Sequence, residues 1–247
     1  GQIRADRGNV EMLGVPVTDA ASRKRVGYLP ENPSFYDSLN ATEYLALVGR
    51  VHGMSAKQIL VETDRLLELL DLTIAAKRPI RSYSKGMVQR LGLAQTMLHD
   101  PDLYVLDEPM SGLDPLGRAL VKQIMIDLKK RGKTVFFSTH VTADVEAVCD
   151  RVGVIVAGRL RAVNHVEDIV QGGLEGYHVH YRGALQFTDE YEVVRSKHDD
   201  SLLYVPKAKL ARFITEANDN NGDIRFMEPV RKDLETFFLE VVGHSES

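Results

Sequence analysis

Cysteine is almost missing from this chain: Cys149 is the only one in 247 residues. One thiol rules out an internal disulfide framework and suits a reducing compartment. Long apolar runs are missing as well. No stretch approaches the roughly 20 consecutive apolar residues that a membrane-spanning helix requires, and no secretory leader opens the sequence. Any membrane role is therefore expected to run through a partner protein. Excess positive charge is also lacking. The 31 Lys and Arg stand against 35 Asp and Glu, a formal net charge of −4, which predicts no nucleic-acid partner. No internal repeat or low-complexity segment is visible.

What remains is 44% hydrophobic and 27% charged, enough for one sizeable core with a small appendage. The middle of the chain alternates strand and helix signals. Leu103-Tyr104-Val105-Leu106 is a short unbroken apolar run, as expected of a parallel strand covered on both faces. Asp114-Pro115 supplies a helix cap with proline at the first helical position. Leu116, Leu120, Ile124 and Leu128 follow at helical spacing. Gly132 ends that helix, and Thr134 to Ser138 reads as the next strand. A short helix from about Thr142 to Cys149 leads to a third strand, Val152 to Val156. The order predicts a doubly wound α/β sheet.

A helical region, about residues 41–98, precedes this core. Ser55 caps one helix with Ile59, Val61, Leu66, Leu67, Leu69 and Leu70 as its apolar face. Ser84 caps another, striped by Met87, Leu91, Ala94 and Leu98. After Gly172-Gly173 the texture changes: Tyr177 to Tyr181 and Leu202 to Val205 read as strands, Lys207 to Asn218 and Lys232 to Val242 as amphipathic helices. That predicts a small α+β unit. His178 and His180 share one strand face at a spacing able to chelate Zn²⁺ or Cu²⁺, but no third ligand is near and a solvated strand is the preferred reading. Cys149 reads as a small buried helix residue.

Chemistry concentrates at the ends of the predicted strands. Asp107-Glu108 stands at the carboxyl end of a buried strand, where open α/β sheets bind ligands. Asp107 suits Mg²⁺ held through water, and Glu108 suits polarisation of a water attacking a γ-phosphate. An acidic pair alone reads better as a solvated strand end. However, Ser111-Gly112-Leu113-Asp114 follows closely, and Ser138-Thr139-His140 ends the next strand. In a parallel sheet those ends converge, so His140 is expected to approach Glu108. Upstream, Ser84-Lys85-Gly86-Met87 opens a helix, offering a hydroxyl, free backbone N–H groups and the positive end of the helix dipole to a phosphate.

Taken in order, these segments resemble the ATP-binding cassette family: a Q-loop-like Gly27-Tyr28-Leu29-Pro30-Glu31, a signature-like Ser84-Lys85-Gly86-Met87, a Walker B strand with Asp107 and Glu108, a D-loop at Ser111 to Asp114, and a switch His140. The run Gln89 to Gln95 is also similar to that family, and the resemblance covers about Val10 to Asp168. It implies an α/β, P-loop NTPase-like parallel sheet with an α-helical subdomain, bounded as 1–170, and an accessory α+β domain at 171–247. It also implies ATP and Mg²⁺ as cofactors, with Glu108 and His140 catalytic, Asp107 and Glu31 at the metal, and Ser84, Lys85, Gly86, Met87 and Asp114 at nucleotide. The implied partners are a transmembrane permease and a second ATPase subunit paired head to tail, at the cytoplasmic face of the cell membrane. The tail Asp233 to Glu240 resembles the extension of ABC-2-type exporter ATPases. Two positions depart from the family: Glu31 replaces a glutamine, and Lys85 a glycine. Lys85 either adds charge near a partner's phosphates or points to solvent.

No phosphate loop, G-x-x-x-x-G-K-[ST] between strand and helix, occurs in these residues. Gly132-Lys133-Thr134 is a decoy, since Asp127 holds the place of the first glycine and the triplet leads from helix into strand. The sheet is therefore expected to lack its N-terminal part, the chain starting at Gly1 just past the loop, and to be inactive alone. Alternatives are a non-transport ABC ATPase, or a non-catalytic subunit lending its signature helix to a competent partner.

Overall fold

The computed structural model describes residues 3, 5–172, 174–183, 191–197, 200–231 and 234–243. They fall into two compact units, Gly1–Asp144 and Val145–Ser247.

The first unit opens with a two-residue ladder, β1 (Glu11–Met12) against β2 (Val15–Pro16). Then come β3 (Val26–Leu29), α1 (Ala41–Val51), α2 (Ala56–Leu69), α3 (Lys85–Met97), β4 (Leu103–Asp107), α4 (Pro115–Lys130), β5 (Thr134–Ser138) and α5 (Thr142–Val148). Three strands form the parallel sheet β3–β4–β5, with Leu29 level with Leu106, Leu106 with Phe137, and Asp107 with Ser138. All three carboxyl ends thus lie along one edge.

Local chemistry sets the helices. Asn40 and Ser55 each form a reciprocal capping box, with Glu43 and Gln58 respectively. Asp114 caps α4 by accepting from Gly117 N at 2.7 Å, with Pro115 in the first turn. The helical region packs through Leu45, Ile59, Leu66, Leu67, Leu70, Leu91, Ala94 and Leu98, all buried. Val61 and Leu69, read from the sequence as part of that face, are instead exposed. They lie off the arc occupied by Ile59, Thr63, Leu66 and Leu67. On α4 the core stripe is likewise rotated to Gly117, Val121, Ile124, Met125 and Leu128, leaving Leu116 82% exposed.

The second unit contains β6 (Arg151–Val156), β7 (Arg159–His165), α6 (Val166–Gly172), β8 (Leu174–Arg182), β9 (Glu192–Lys197), β10 (Asp200–Pro206), α7 (Leu210–Asp219), β11 (Asp223–Arg231) and α8 (Leu234–Gly243). Here one expectation is corrected. The strand at Val152 to Val156 exists within β6, yet it pairs antiparallel with β7 rather than joining the parallel sheet. Ala157 and Gly158 both hold positive φ, 49° and 74°, the geometry of a tight hairpin turn that sends the chain straight back. Strands β11-β8-β10-β9 make an antiparallel sheet. Val179, Tyr181, Leu203 and Val205 cluster there with Phe213 and Ala217 of α7. The predicted strands and helices of the small α+β unit are found, although Lys232 and Asp233 lie outside the described residues. Cys149 is half-buried and follows the end of α5, not sealed within a helix.

Candidate functional site

The carboxyl edge of the three-stranded sheet gathers the acidic pair and the histidine. Asp107 is the last residue of β4, level with Ser138 at the end of β5. Ser138 Oγ donates to Asp107 Oδ1 at 2.5 Å and accepts from the Glu108 backbone N–H at 3.2 Å. One hydroxyl therefore joins the ends of both strands. Just past β4, Glu108 turns with φ of +43°. That region costs a non-glycine residue of order 1–3 kcal/mol and recurs at functional sites. The turn is braced by Gln89 of α3, whose Nε2 donates to the carbonyls of Glu108 at 3.3 Å and Pro109 at 3.2 Å. His140 Nδ1 lies 2.8 Å from Glu108 Oε1, and a carboxylate acceptor assigns the proton of that bond to Nδ1.

Sequence reasoning had named Asp107, Glu108 and His140, and the fold brings them to one edge. It missed the roles of Ser138 and Gln89. No local signal marked Gln89, which lies on the helix face opposite the stripe of Met87, Leu91, Ala94 and Leu98; it is 3% exposed in the structure, where an amide needs a partner.

The Ser84 turn shows the geometry expected of a helix start. Ser84 Oγ accepts from Met87 N at 3.3 Å. Ser84 and Lys85 are exposed, Gly86 and Met87 half-buried. Lys85 is exposed, and its stem lies along Gly112. A methyl group on that glycine would fall 2.7 Å from Lys85 Cδ and Cε. One on Gly86 would sit 3.5 Å from the Gly112 carbonyl oxygen, so the Ser84 turn and the Ser111–Asp114 loop touch within the chain. Asp114 spends one carboxylate oxygen on capping α4. Glu31 is exposed, two residues beyond β3 and hence past the same sheet edge.

Lys133 of the decoy triplet belongs elsewhere. It binds the carbonyl and carboxylate of Asp100 at 3.1 Å, beside the amino ends of the strands, and Gly132 makes the turn into β5 with φ of +75°.

The oxygen donors at the edge, two carboxylates and a hydroxyl, fit a hard divalent ion that keeps its waters and shares phosphate oxygens. Among the described residues no three His, Cys, Asp or Glu side chains are grouped to hold a metal by themselves. His178 meets Tyr204 edge-on, and His180 lies against Phe226. Among the described residues no helix is long and apolar enough to cross a membrane.

The profile of the ABC transporter family matches residues 1–111. An ABC transporter ATP-binding protein of Nostoc is 36% identical over 260 aligned residues, covering 100% of this chain and 75% of that protein. A second, from Synechocystis, is 44% identical over 74% of this chain, which spans about half (52%) of that relative's length. The bacitracin transport ATP-binding protein BcrA of Bacillus licheniformis is 29% identical over 98% of the chain and 82% of its own length. A solved ATP-binding subunit of an ABC transporter superposes with a TM-score of 0.64 at 30% identity, over 68% of this chain and 71% of the other. With the strand ends carrying the ordered motifs and a relative matched along the whole chain, this protein belongs to the ABC transporter family, among its ATP-binding subunits.

Proposed function

We propose that this chain is the nucleotide-binding part of an ABC-2-type exporter, in which ATP binding and hydrolysis at the cytoplasmic membrane face drive a separate permease. The observation that carries this is the Asp107–Ser138–Glu108–His140 cluster at one sheet edge, with Glu108 held by His140 Nδ1 at 2.8 Å. Glu108 serves as the base that accepts a proton from the attacking water. His140 orients that carboxylate through its Nδ1–H. Asp107, with Glu31 assisting, would hold Mg²⁺, which would supply neutralisation of charge on the phosphates. A transport role is supported by the name of the bacitracin transport relative. The ATPase domain is taken to run to about residue 170, beyond the compact-unit division, with 171–247 accessory to it.

Ser84, Lys85, Gly86 and Met87, with Asp114 nearby, face a nucleotide held by a second subunit. Residues 1–247 contain no loop to cradle phosphates of their own, and phosphoryl transfer depends on positioning and charge stabilisation. The chain alone is therefore expected to show no turnover above background at saturating Mg-ATP. Preceding it with a strand, phosphate loop and helix is expected to switch turnover on. Glu108→Gln in that version should lower kcat by roughly 10²–10⁴-fold. Turnover by residues 1–247 alone that Glu108→Gln abolishes overturns the cradle argument, and an extended version indifferent to Glu108→Gln overturns its role as base.

Permease contact is assigned to the segment from Asn32 to Tyr44. Tyr36 there is 64% exposed, while Phe35 packs edge-on against Tyr44, ring centroids 4.8 Å apart.

A further inference from the structure

Asp144 is a carboxylate in the interior, 1% exposed. A buried charge must be paired, and here each oxygen has its own cation. Arg118 Nη2 lies 2.5 Å from Oδ2 and Lys122 Nζ 2.7 Å from Oδ1. Both cations come from α4, four residues apart and so on one helix face. The backbone of Asp144 is also held, its N–H donating to the Val141 carbonyl at 3.1 Å.

The consequence lies four residues upstream. The His140 side chain is 81% exposed, and an ion pair made in water is too weak to hold a loop in place. The backbone has to deliver the imidazole. On one side β5 ends at Ser138, bound to Asp107, and Thr139 Oγ1 accepts from Val141 N at 3.1 Å. On the other side the chain is caught at Asp144.

We propose that Asp144 is a positioning residue for His140: the Arg118–Asp144–Lys122 clamp pins the first turn of α5 to α4 and thereby sets the short strap that presents Nδ1 to Glu108. The catalytic meaning of that placement rests on the reading of Glu108 and His140 as the hydrolytic pair; the placement itself does not. Because Asp114 caps α4, the clamp also ties the His140 strap to the helix that follows the Ser111–Asp114 loop.

Long-range ¹H–¹⁵N spectra of the imidazoles of the ¹⁵N-labelled 247-residue chain test this, at a pH where free imidazole is neutral. His140→Gln assigns the signal. The wild type should show His140 fixed with its proton on Nδ1, and exposed His180 supplies the mixed-tautomer pattern in the same sample. Asp144→Asn and Lys122→Met should each cost His140 its fixed pattern, converting it to one like that of His180, while His180 stays unchanged. A merely structural clamp would lower the melting temperature and leave the His140 signal as it was. If Asp144→Asn does not fold, Lys122→Met decides by the same criterion, since it leaves the Arg118 pair intact. An unaltered His140 pattern in either folded variant overturns the proposal. The spectra need no nucleotide, so failed turnover beside a fixed His140 counts against the ATPase reading alone.

Discussion

The ring of His99 stacks on that of His52, with centroids 3.7 Å apart and planes 12° from parallel, and its two nitrogens are shielded from water. Burial, and then the neighbouring imidazole, push the His99 pKa down to about 4, and burial lowers that of His52 as well. A histidine depressed in the folded state binds its proton more readily when unfolded, where the pKa is about 6.5. Its contribution is therefore complete above about pH 6.5, and is lost as pH falls toward about 4. The chain is expected to lose on the order of 2 kcal/mol between those limits from this residue, after allowance for its partial exposure. Urea unfolding of wild type and His99→Phe across that range measures it, and the variant should show the flatter profile. Equal pH dependence in both would remove His99 as the cause.

At the level of elements, α3 matters most to the site. Its first turn carries Ser84, its second turn carries Gln89 beneath Glu108, and its far end packs on β3 at closest approach. A methyl on Gly27 would sit 2.6 Å from the Thr96 carbonyl oxygen and 2.8 Å from its Cγ2. A backbone oxygen cannot step aside without moving the helix. Gly27→Ala is therefore expected to cost about 1–3 kcal/mol, seen as a lower denaturation midpoint with unchanged slope. Gln89→Leu acts at the other end, stranding two carbonyls that Gln89 now binds. It should destabilise by about 1–3 kcal/mol and, in a version supplied with a phosphate loop, lower turnover as well. Unchanged turnover in folded Gln89→Leu would separate the brace from the chemistry.

Over the whole molecule, one face of the parallel sheet bears apolar side chains that remain open. Tyr28, Val105 and Phe136 stand on one rung across the three strands, with Tyr28 40% and Phe136 68% exposed. Parallel sheets are normally covered on both faces, and open apolar surface favours association. Phe136→Lys is expected to raise the soluble concentration limit, measured by light scattering against concentration, while changing stability by no more than about 0.5 kcal/mol, as for other surface substitutions. No gain in solubility would show that this face does not drive association.

Much of the site was legible before any coordinates, because its parts sit at positions with strong local signatures. An apolar run ending in Asp107-Glu108 is a strand with a polar terminus, Asp114-Pro115 starts a helix, and Ser84 caps one; each follows from backbone chemistry within a few residues. Other features depend on contacts between segments distant in sequence. The bridging of two strand ends by Ser138, the bracing of Glu108 by Gln89, the placement of Lys85 along Gly112 and the burial of Asp144 between Arg118 and Lys122 have no local signature. Strand partnership belongs with these. The run at Val152 to Val156 reads as a strand in either sheet, and its pairing with β7 rather than the parallel sheet was decided by the turn at Ala157-Gly158 and by tertiary packing. Short-range propensity writes the elements into the chain, whereas register, burial and pairing of charge emerge only when those elements meet.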